Sequence, residues 1–335
     1  MLTRKGYRIP EFLAWTRRNI YILLVLSAIP IVLYQVVGIR WLAIPWGIVF
    51  LLGTTVALSA GFKNLQTYNR MQDAQQVWGS IASSSRIWGV MVRELVADPA
   101  NARALVYGHF AWLAALRHEM RRHQPWETYD KPQNVEYRRH YEIPERSQTL
   151  ASELGRYLPA GDAAPILASR SAALQALALQ GRKVKHLLDE GAITANAHAD
   201  LQKSIREFVD LQGRSERIKN YPYPRQHAFI NSVFVWILCI LMPFGMISEL
   251  ARMDEAMTGA SPGAMIWLAI PLSLLIGWMY TSLDQVGSST ENPFEGGAND
   301  VPISRICEEI EVDLREMLGE IELPSLAVSK SGITM

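Results

Sequence analysis

The segment around His118, Glu119 and His123 is the part of the chain that most nearly matches a metal-dependent hydrolase motif. In the HExxH motif the two histidines are four residues apart, so one helical face presents both to zinc and the glutamate acts as general base. Here the two histidines are five residues apart and do not share a face. The stretch also carries three arginines, and we interpret it as a solvated basic helix: Arg117, Arg121 and Arg122.

The other reactive side chains give no catalytic constellation either. Cys239 lies in an apolar run and Cys307 in an amphipathic stretch, and they form neither a CxxC pair nor a disulfide framework. We interpret one acid-rich run as a solvated helix face: Glu308, Glu309, Glu311 and Asp313. The chain has no phosphate-binding loop and no GxSxG elbow. We therefore expect no catalytic residue, no metal site and no cofactor.

Composition excludes one partner class and points to a membrane. The 335 residues carry a net charge of +1, which gives no case for binding nucleic acid. Hydrophobic residues make up 49% and charged residues 19% of the chain. The apolar residues are concentrated in long runs, which indicates spanning segments rather than two soluble domains.

Four apolar runs predict four transmembrane helices. The first covers 19–39 with Pro30 inside, and the second follows a short turn and ends at Phe62. The third covers 228–247 and the fourth 264–279. The N-terminal segment is basic (Arg4, Lys5, Arg8, Arg17, Arg18), so the positive-inside rule places both termini in the cytoplasm. The run 248–257 is acidic on balance and suits an outside loop.

Residues 63–225 contain no spanning segment, and their apolar spacing is helical throughout, without strand alternation. The stretch 123–145, rich in proline, tyrosine, glutamine and charge, predicts a loop. A later helix has Pro165 near its start and ends by Gly191, a candidate C-cap, and Thr194 can cap the helix that follows. The fold class is therefore an all-α membrane protein with a helical cytoplasmic domain. We divide the chain into an N-terminal segment (1–18), transmembrane helices 1 and 2 (19–62), the cytoplasmic domain (63–225), transmembrane helices 3 and 4 (226–281), a loop with an amphipathic helix (282–318) and a tail (319–335), which we expect to be extended or disordered.

The second span is the stretch around which the chain is organised. From Gly47 to Phe62 it has no charged residue. Residues four apart on one helical face form a line of mostly large side chains: Trp46, Phe50, Thr54, Leu58 and Phe62. Small residues lie beside this line and allow close helix packing. Spacing alone leaves two interpretations open, a helix buried in a bundle or one that packs against copies of itself.

Several short segments resemble those of bacterial members of the bestrophin channel family. They are Gly61-Phe62-Lys63-Asn64, Tyr68-Asn69-Arg70, Trp78-Gly79, Asn220-Tyr221-Pro222-Tyr223-Pro224, Leu241-Met242-Pro243-Phe244, Glu291-Asn292-Pro293-Phe294, Asn299-Asp300-Val301-Pro302 and Ile310-Glu311-Val312-Asp313-Leu314. Each segment alone is weakly specific. Their order and spacing, together with four spans and a helical cytoplasmic body, make the resemblance specific over most of the chain.

The resemblance implies a homopentamer around one central pore in a bacterial inner membrane. In the family, three hydrophobic residues of the second span line a narrow neck, and the matching positions here are Thr54, Leu58 and Phe62. Thr54 departs from the family pattern, which has an aliphatic residue there. A hydroxyl at this position should ease wetting of the outer end of the neck.

The resemblance also implies a second constriction deeper in the cytoplasmic pore. Counting back from Pro222 and Pro224 places it near Asn196, with Ile193 and His198 adjacent. The family members compared have an apolar residue at this point, so Asn196 would form a polar ring. The alternative for Asn196 is an ordinary exposed helix residue.

Animal bestrophins bind calcium through an acidic run just after Asn-Pro-Phe. Here Asn292-Pro293-Phe294 is followed by Glu295-Gly296-Gly297-Ala298-Asn299-Asp300, without contiguous carboxylates. A calcium site needs six to eight oxygen ligands. We therefore predict no calcium clasp and no calcium-dependent opening.

The resulting prediction is a homopentameric channel that passes small monovalent ions, either anions or sodium and potassium, through a hydrophobic neck. It is not an enzyme, and its partners are copies of itself, the lipid bilayer and the permeant ions. The alternative is a membrane-anchored helical scaffold that binds a cytoplasmic partner and conducts nothing. A membrane enzyme would need clustered polar residues near the bilayer surface, which the sequence does not show.

Overall fold

The computed structural model describes residues 1, 6, 8–256, 263–325 and 332–335. Arg4, Lys5 and Met257, which the sequence analysis used, lie outside the described residues. The α-helices in these ranges are α1 (Ile9–Val32), α2 (Trp46–Leu95), α3 (Pro99–Met120), α4 (Pro132–Tyr137), α5 (Pro144–Ser147), α6 (Leu150–Tyr157), α7 (Ala160–Ala168), α8 (Ala172–Asp189), α9 (Ala195–Asn220), α10 (Arg225–Ala256), α11 (Ala269–Thr290) and α12 (Ile303–Met317). The all-α prediction is confirmed.

The chain forms two compact units. The membrane unit comprises Lys5–Asn69 and Tyr223–Glu291, and the extramembrane unit comprises Met1–Arg4, Arg70–Pro222 and Asn292–Met335. The four helical segments long and apolar enough to cross a bilayer are Ile9–Val37, Arg40–Leu95, Arg225–Glu255 and Met265–Thr290. The prediction of four transmembrane helices is confirmed.

In the membrane unit, α1, α10 and α11 pack on one another and on the first part of α2. Leu274 and Ile276 of α11 pack against an apolar cluster formed by the other three helices: Leu23, Val49, Val56, Val235, Leu238, Cys239 and Met242. Glycines allow close approach at two points of this cluster. A Cβ on Gly277 would lie 2.9 Å from a Leu23 methyl, and one on Gly245 would lie 2.7 Å from a Val49 methyl. Such small-residue contacts are the usual means of helix packing in a bilayer.

The first span differs from its prediction at both ends. Helix α1 begins at Ile9, with Pro10 in its first turn, so Arg17 and Arg18 lie within the helix rather than before it. Pro30 is inside α1 and is followed by a π-helical turn, Leu33–Val37. Gly38, with φ of +83°, ends that turn in the left-handed conformation that glycine adopts at little cost.

The prediction of an outside loop at 248–257 is wrong over most of the length of this run. Helix α10 continues through this run to Ala256. The carboxylate of Glu249 pairs with Arg252 one turn later, and Asp254 accepts backbone N–H groups of Gly263 and Met265. These local partners let charged residues extend the helix beyond its apolar part.

The extramembrane unit is built on one large core from α2, α3, α6, α8, α9 and α12. At its centre two indoles, Trp88 and Trp112, and one phenyl ring, Phe208, surround the imidazole of His109, whose Nε2 lies 2.9 Å from Ser85 Oγ. The Phe208 ring centroid lies 4.6 Å from that of His109 and 5.0 Å from that of Trp112. Trp88 packs edge-on against Phe208, 5.9 Å away.

The helix expected from Pro165 to Gly191 is two helices. Ser169 Oγ donates to the Ile166 carbonyl, and Ser171 Oγ accepts from Leu174 N, which caps the start of α8. Serine competes locally with the helical backbone in this way. Pro165 is inside α7 rather than near the start of α8.

Two segments expected to lack structure are partly ordered. The loop 123–145 contains α4 and the start of α5, each of which has proline in its first turn. In the tail, Ile333 and Met335 are buried against Ile143, and the Met335 carbonyl accepts from Arg305 N. Residues 332–335 of the tail are therefore held by contacts within the unit.

Candidate functional site

The predicted neck residues lie on an unpartnered face of α2. Leu58 is 63% exposed and Phe62 59% exposed, and Thr54 is also exposed. The opposite face is buried in the membrane unit through Val56 and Ala60. From Phe50 to Phe62 the i, i+4 line inferred from spacing is therefore a continuous exposed strip without formal charge, which the described residues do not cover. Trp46, at the start of the line, is half-buried against the apolar cluster of the membrane unit.

Thr54 contributes less polarity to this strip than its side-chain type implies. Its hydroxyl donates to the carbonyl of Phe50 at 2.9 Å, and Thr55 donates to Leu51 at 3.0 Å. Back-bonding to the i−4 carbonyl is the usual arrangement for threonine in a helix. The hydroxyl proton is thus used by the backbone, which leaves only the oxygen lone pairs and the methyl group for the strip.

The three residues predicted for the cytoplasmic constriction have different environments. Asn196 is exposed in the first turn of α9, His198 is half-buried, and Ile193 is buried in the core of the extramembrane unit. The local caps are as predicted: Gly191 has φ of +71°, and Thr194 Oγ1 accepts from Ala197 N at 3.2 Å. Of the three, Asn196 has the side chain most available to line a passage.

The loop after Asn292-Pro293-Phe294 is organised by the carboxylate of Asp300. Its Oδ1 accepts from Phe294 N at 2.8 Å and from Val301 N at 2.7 Å, and its Oδ2 accepts from Gly296 N at 2.8 Å. Arg121 Nη1 donates to the same Oδ2 at 2.9 Å. Both carboxylate oxygens are therefore fully engaged within the unit.

Phe294 has φ of +74°, a conformation that non-glycine residues rarely adopt. Its ring is fully buried, with its centroid 6.1 Å from that of Trp78, and its backbone N–H is held by Asp300. Burial and this hydrogen bond offset the strain. The other carboxylate of the loop, Glu295, accepts from both the backbone and hydroxyl of Thr128. Burial raises the pKa of Glu295 to about 7.

Residues 16–316 match the family described as Bacterial/Fungal Bestrophin protein. The chain belongs to that family. It is 26% identical over 292 residues to the voltage-dependent anion channel-forming protein YneE of Escherichia coli K12, a match that covers 87% of this chain and 82% of YneE. It is 24% identical to the voltage-dependent anion channel-forming protein mll4386 of Mesorhizobium japonicum, covering 91% of this chain and 90% of that protein.

The fold is also that of a bestrophin structure. The crystal structure of a bacterial bestrophin homologue from Klebsiella pneumoniae matches with a TM-score of 0.74 at 22% identity, and the match covers 91% of this chain and 99% of that one. The family resemblance inferred from short segments is thus confirmed. The relatives are named as channel-forming proteins, so this bestrophin is classed with membrane channels and not with enzymes.

Sequence reasoning misjudged the basic stretch of α3. Arg117 and Arg121 are buried, not solvated. Arg117 pairs with Glu145 at 3.0 Å and with Glu153 at 2.8 Å, and Arg121 pairs with Asp300. The apolar residues on all sides of the stretch were the signal that could have indicated burial, since a helix that is apolar all round is interior.

The acid-rich run on α12 was also partly misread. Glu311 is buried and accepts from Tyr157 OH at 2.7 Å, whereas Glu308 and Glu309 are half-buried and pair with Arg305. The two histidines of the hydrolase-like stretch contact different carboxylates: His118 lies near Glu153, and His123 near Glu127 and Asp130. Among the described residues no group of three His, Cys, Asp or Glu side chains is arranged to hold a metal ion.

Proposed function

We propose that this bestrophin is a homopentameric channel that conducts small monovalent anions through a neck lined by Thr54, Leu58 and Phe62. The observation that carries the proposal is the exposed, uncharged face of α2. Large apolar side chains left uncovered in a folded chain mark a surface that another component covers. In a ring of five copies, this strip would meet its equivalents around a common axis.

The hydrophobic strip can act as a barrier without any moving plug. A narrow passage lined by apolar side chains expels water, and an ion that enters it loses hydration. Leu58 and Phe62 supply the apolar rings. Thr54 lies at the outer end of the neck, and its hydroxyl donates to the Phe50 carbonyl. Conduction would then depend on small changes in the neck radius.

Anion rather than cation conduction is supported by the names of the relatives, several of which are voltage-dependent anion channel-forming proteins. The neck residues themselves carry no charge, so they would not decide the sign of the permeant ion. A polar ring of Asn196 would form the second constriction, deeper in the pathway. The bacterial inner membrane is the proposed location, with both termini in the cytoplasm by the positive-inside rule.

We also propose that calcium does not open the channel. The loop after Phe294 has two carboxylates, and both are used by protein donors, Asp300 by three backbone N–H groups and Arg121, and Glu295 by Thr128. A calcium ion would have to displace these partners to gain ligands. Currents should be the same in calcium and in chelator.

The test is ion flux through the purified full-length protein in liposomes under a salt gradient, with reversal potentials measured in a planar bilayer. The double variant Leu58→Ala, Phe62→Ala should conduct faster than wild type, since each ~1.4 kcal/mol removed from the barrier raises the rate about tenfold. A matched control, Leu24→Ala with Phe229→Ala, removes the same side chains from exposed positions on α1 and α10. It should leave the flux unchanged.

The outcomes separate the candidate functions. A faster neck variant and a reversal potential near that of chloride support an anion channel with its barrier at the neck. A reversal potential near that of the cation overturns the anion assignment but not the channel. Background flux in wild type and in both variants, with an intact oligomer by sizing, overturns the channel and favours the scaffold alternative.

A further inference from the structure

A buried charge lies directly beside the neck strip. Lys63 follows Phe62 in α2, yet its side chain is only 3% exposed. Its Nζ donates to Asp284 Oδ1 at 2.8 Å and to Ser288 Oγ at 3.2 Å, both on α11. The ammonium group is therefore turned away from the exposed strip and neutralised inside the membrane unit.

The carboxylate of Asp284 joins three helices at this point. Besides Lys63 from α2, its Oδ1 accepts from Asn231 Nδ2 at 2.9 Å and its Oδ2 accepts from Ser232 Oγ at 2.5 Å, both from α10. Asp284 itself belongs to α11. One side chain thus fixes α2 against α10 and α11 through charge-assisted hydrogen bonds, which are stronger than hydrogen bonds between neutral groups.

Other contacts between α2 and α11 lie on either side of this ion pair. On one side, Tyr280 OH of α11 donates to the Gly53 carbonyl of α2 at 3.2 Å. On the other side lies Gly287, seven residues after Tyr280 in α11. A Cβ on Gly287 would collide with the side-chain oxygen of Asn64, so the two helices approach closely there. The described contacts between α2 and α11 therefore lie at both ends of the neck segment, and Lys63 is the charged residue of α2 among them.

Helix geometry couples these contacts to the neck. Successive residues on an α-helix are about 100° apart around its axis. A rotation of α2 that brings Lys63 toward the position of Phe62 must carry Phe62 away from it. The position of the Lys63 side chain is therefore coupled to the rotation of α2, and it can fix the rotation at which Phe62 lies on the exposed strip.

We propose that the Lys63–Asp284 ion pair is the positioning element that holds α2 in the rotation that places Phe62 in the ion path. Its role in conduction rests on the proposed function. Without the Asp284 charge, the Lys63 ammonium is buried without a counterion, which is strongly unfavourable. Rotation of α2 toward the water of the pathway relieves this, removes the Phe62 barrier and brings a positive charge into the path.

The first experiment is single-channel recording of the full-length oligomer in planar bilayers. Asp284→Asn should raise the open probability at least about tenfold, the factor produced by 1.4 kcal/mol, and should shift the reversal potential further toward the anion. Adding Lys63→Met to Asp284→Asn should reverse both effects, because no charge then drives the rotation. Glu249→Gln is the matched control, since it removes a carboxylate from the exposed pair with Arg252 on α10, and it should change neither quantity.

A merely structural role for Asp284 gives a different result. If Asp284→Asn loosened the packing in general, the double variant would be at least as altered as the single one. That outcome, or an unchanged open probability in Asp284→Asn, overturns the positioning role.

A second readout does not depend on conduction. In a chain whose buried Cys239 and Cys307 are replaced by serine, cysteines at Leu58 and Ser59 are compared for reaction with a water-soluble thiol reagent. We expect position 58 to react faster in the otherwise unchanged chain, and the preference to move to position 59 in Asp284→Asn. An unchanged ranking overturns the rotation whatever the currents show, whereas a shifted ranking in a protein that conducts nothing keeps the rotation and overturns the channel.

Discussion

Substitution of Asp300 should be among the most damaging single changes in the extramembrane unit. The side chain is 3% exposed and pairs with Arg121, whose side chain is 1% exposed. Asp300→Asn keeps an oxygen that can accept from Phe294 N and Val301 N. The amide NH₂ group then replaces Oδ2, so it faces two donors, Gly296 N–H and the Arg121 guanidinium.

The size of the effect follows from these contacts. Breaking a buried ion pair by removing one partner costs about 3–5 kcal/mol. The lower end applies here, because Glu145 Oε2 remains 3.6 Å from Arg121 Nε. The lost hydrogen bond from Gly296 adds about 1 kcal/mol. We therefore expect a loss of about 4 kcal/mol, or roughly 8–16 °C in Tm for a domain of 150–250 residues.

Asp300→Ala should cost more than Asp300→Asn. Alanine removes the acceptor of the Phe294 N–H, which stabilises the positive φ of that residue. Strain of this kind is worth about 1–3 kcal/mol, and it is no longer offset by the hydrogen bond. The order of Tm should be wild type, Asp300→Asn, Asp300→Ala.

The assay is thermal unfolding of the purified protein in detergent, followed by tryptophan fluorescence. Asp189→Asn is the control, because Asp189 is 58% exposed and its pair with Lys185 is a surface pair. Such pairs contribute about 0–1 kcal/mol. A Tm for Asp300→Asn within experimental error of that for Asp189→Asn would refute the central role given to Asp300. Rescue of Asp300→Asn by calcium would refute the claim that the loop has no calcium-binding function.

Two further predictions concern the pH dependence of stability, and they have opposite signs. Burial raises the pKa of Glu295 to about 7. Between pH 4.5 and 7 the folded state therefore holds a proton that the unfolded state has lost. The free energy of unfolding falls in this range by up to about 1.4 kcal/mol for each unit by which the pH increases. Glu295→Gln should reduce the difference in the free energy of unfolding between pH 5.5 and pH 8, measured by denaturant unfolding. An unchanged difference would contradict the raised pKa of Glu295. Burial lowers the pKa of His109 to about 3, so stability is lost as pH falls below about 6.5, the usual value for histidine. In His109→Phe, Ser85 Oγ can still donate to the Ile81 carbonyl. The variant should lose less stability than wild type between pH 6.5 and 4. An equal loss would show that His109 is protonated in the folded protein.

Features decided by local chemistry could be predicted from the sequence. The alignment of large side chains along one face of α2 follows from i, i+4 spacing, although spacing left open whether that face is buried. The turn between α8 and α9 follows from the glycine and threonine at its two caps, Gly191 and Thr194. The four spans follow from apolar length. None of these needs knowledge of a distant residue.

Features decided by distant partners could not be predicted. Arg121 appeared solvated in sequence because Asp300, its partner, lies 179 positions away. Lys63 and Asp284 are 221 positions apart, one at the start of the predicted cytoplasmic domain and the other in the predicted segment 282–318. A single sequence gives the charge of a residue but not the residue that neutralises it, so burial of charged side chains is the part of this fold that spacing leaves undetermined.

The neutralisation of Lys63 has a consequence for selectivity. A lysine that immediately follows Phe62 would by itself favour anions at the inner end of the neck. Because Asp284 accepts from its ammonium group inside the membrane unit, the strip of Thr54, Leu58 and Phe62 stays uncharged. In the proposed channel, a neck built in this way would oppose ions by dehydration and not by the sign of their charge. Any preference for anions must then come from charges outside the neck, and neck substitutions such as Leu58→Ala should change the rate of conduction far more than the ratio of anion to cation permeability.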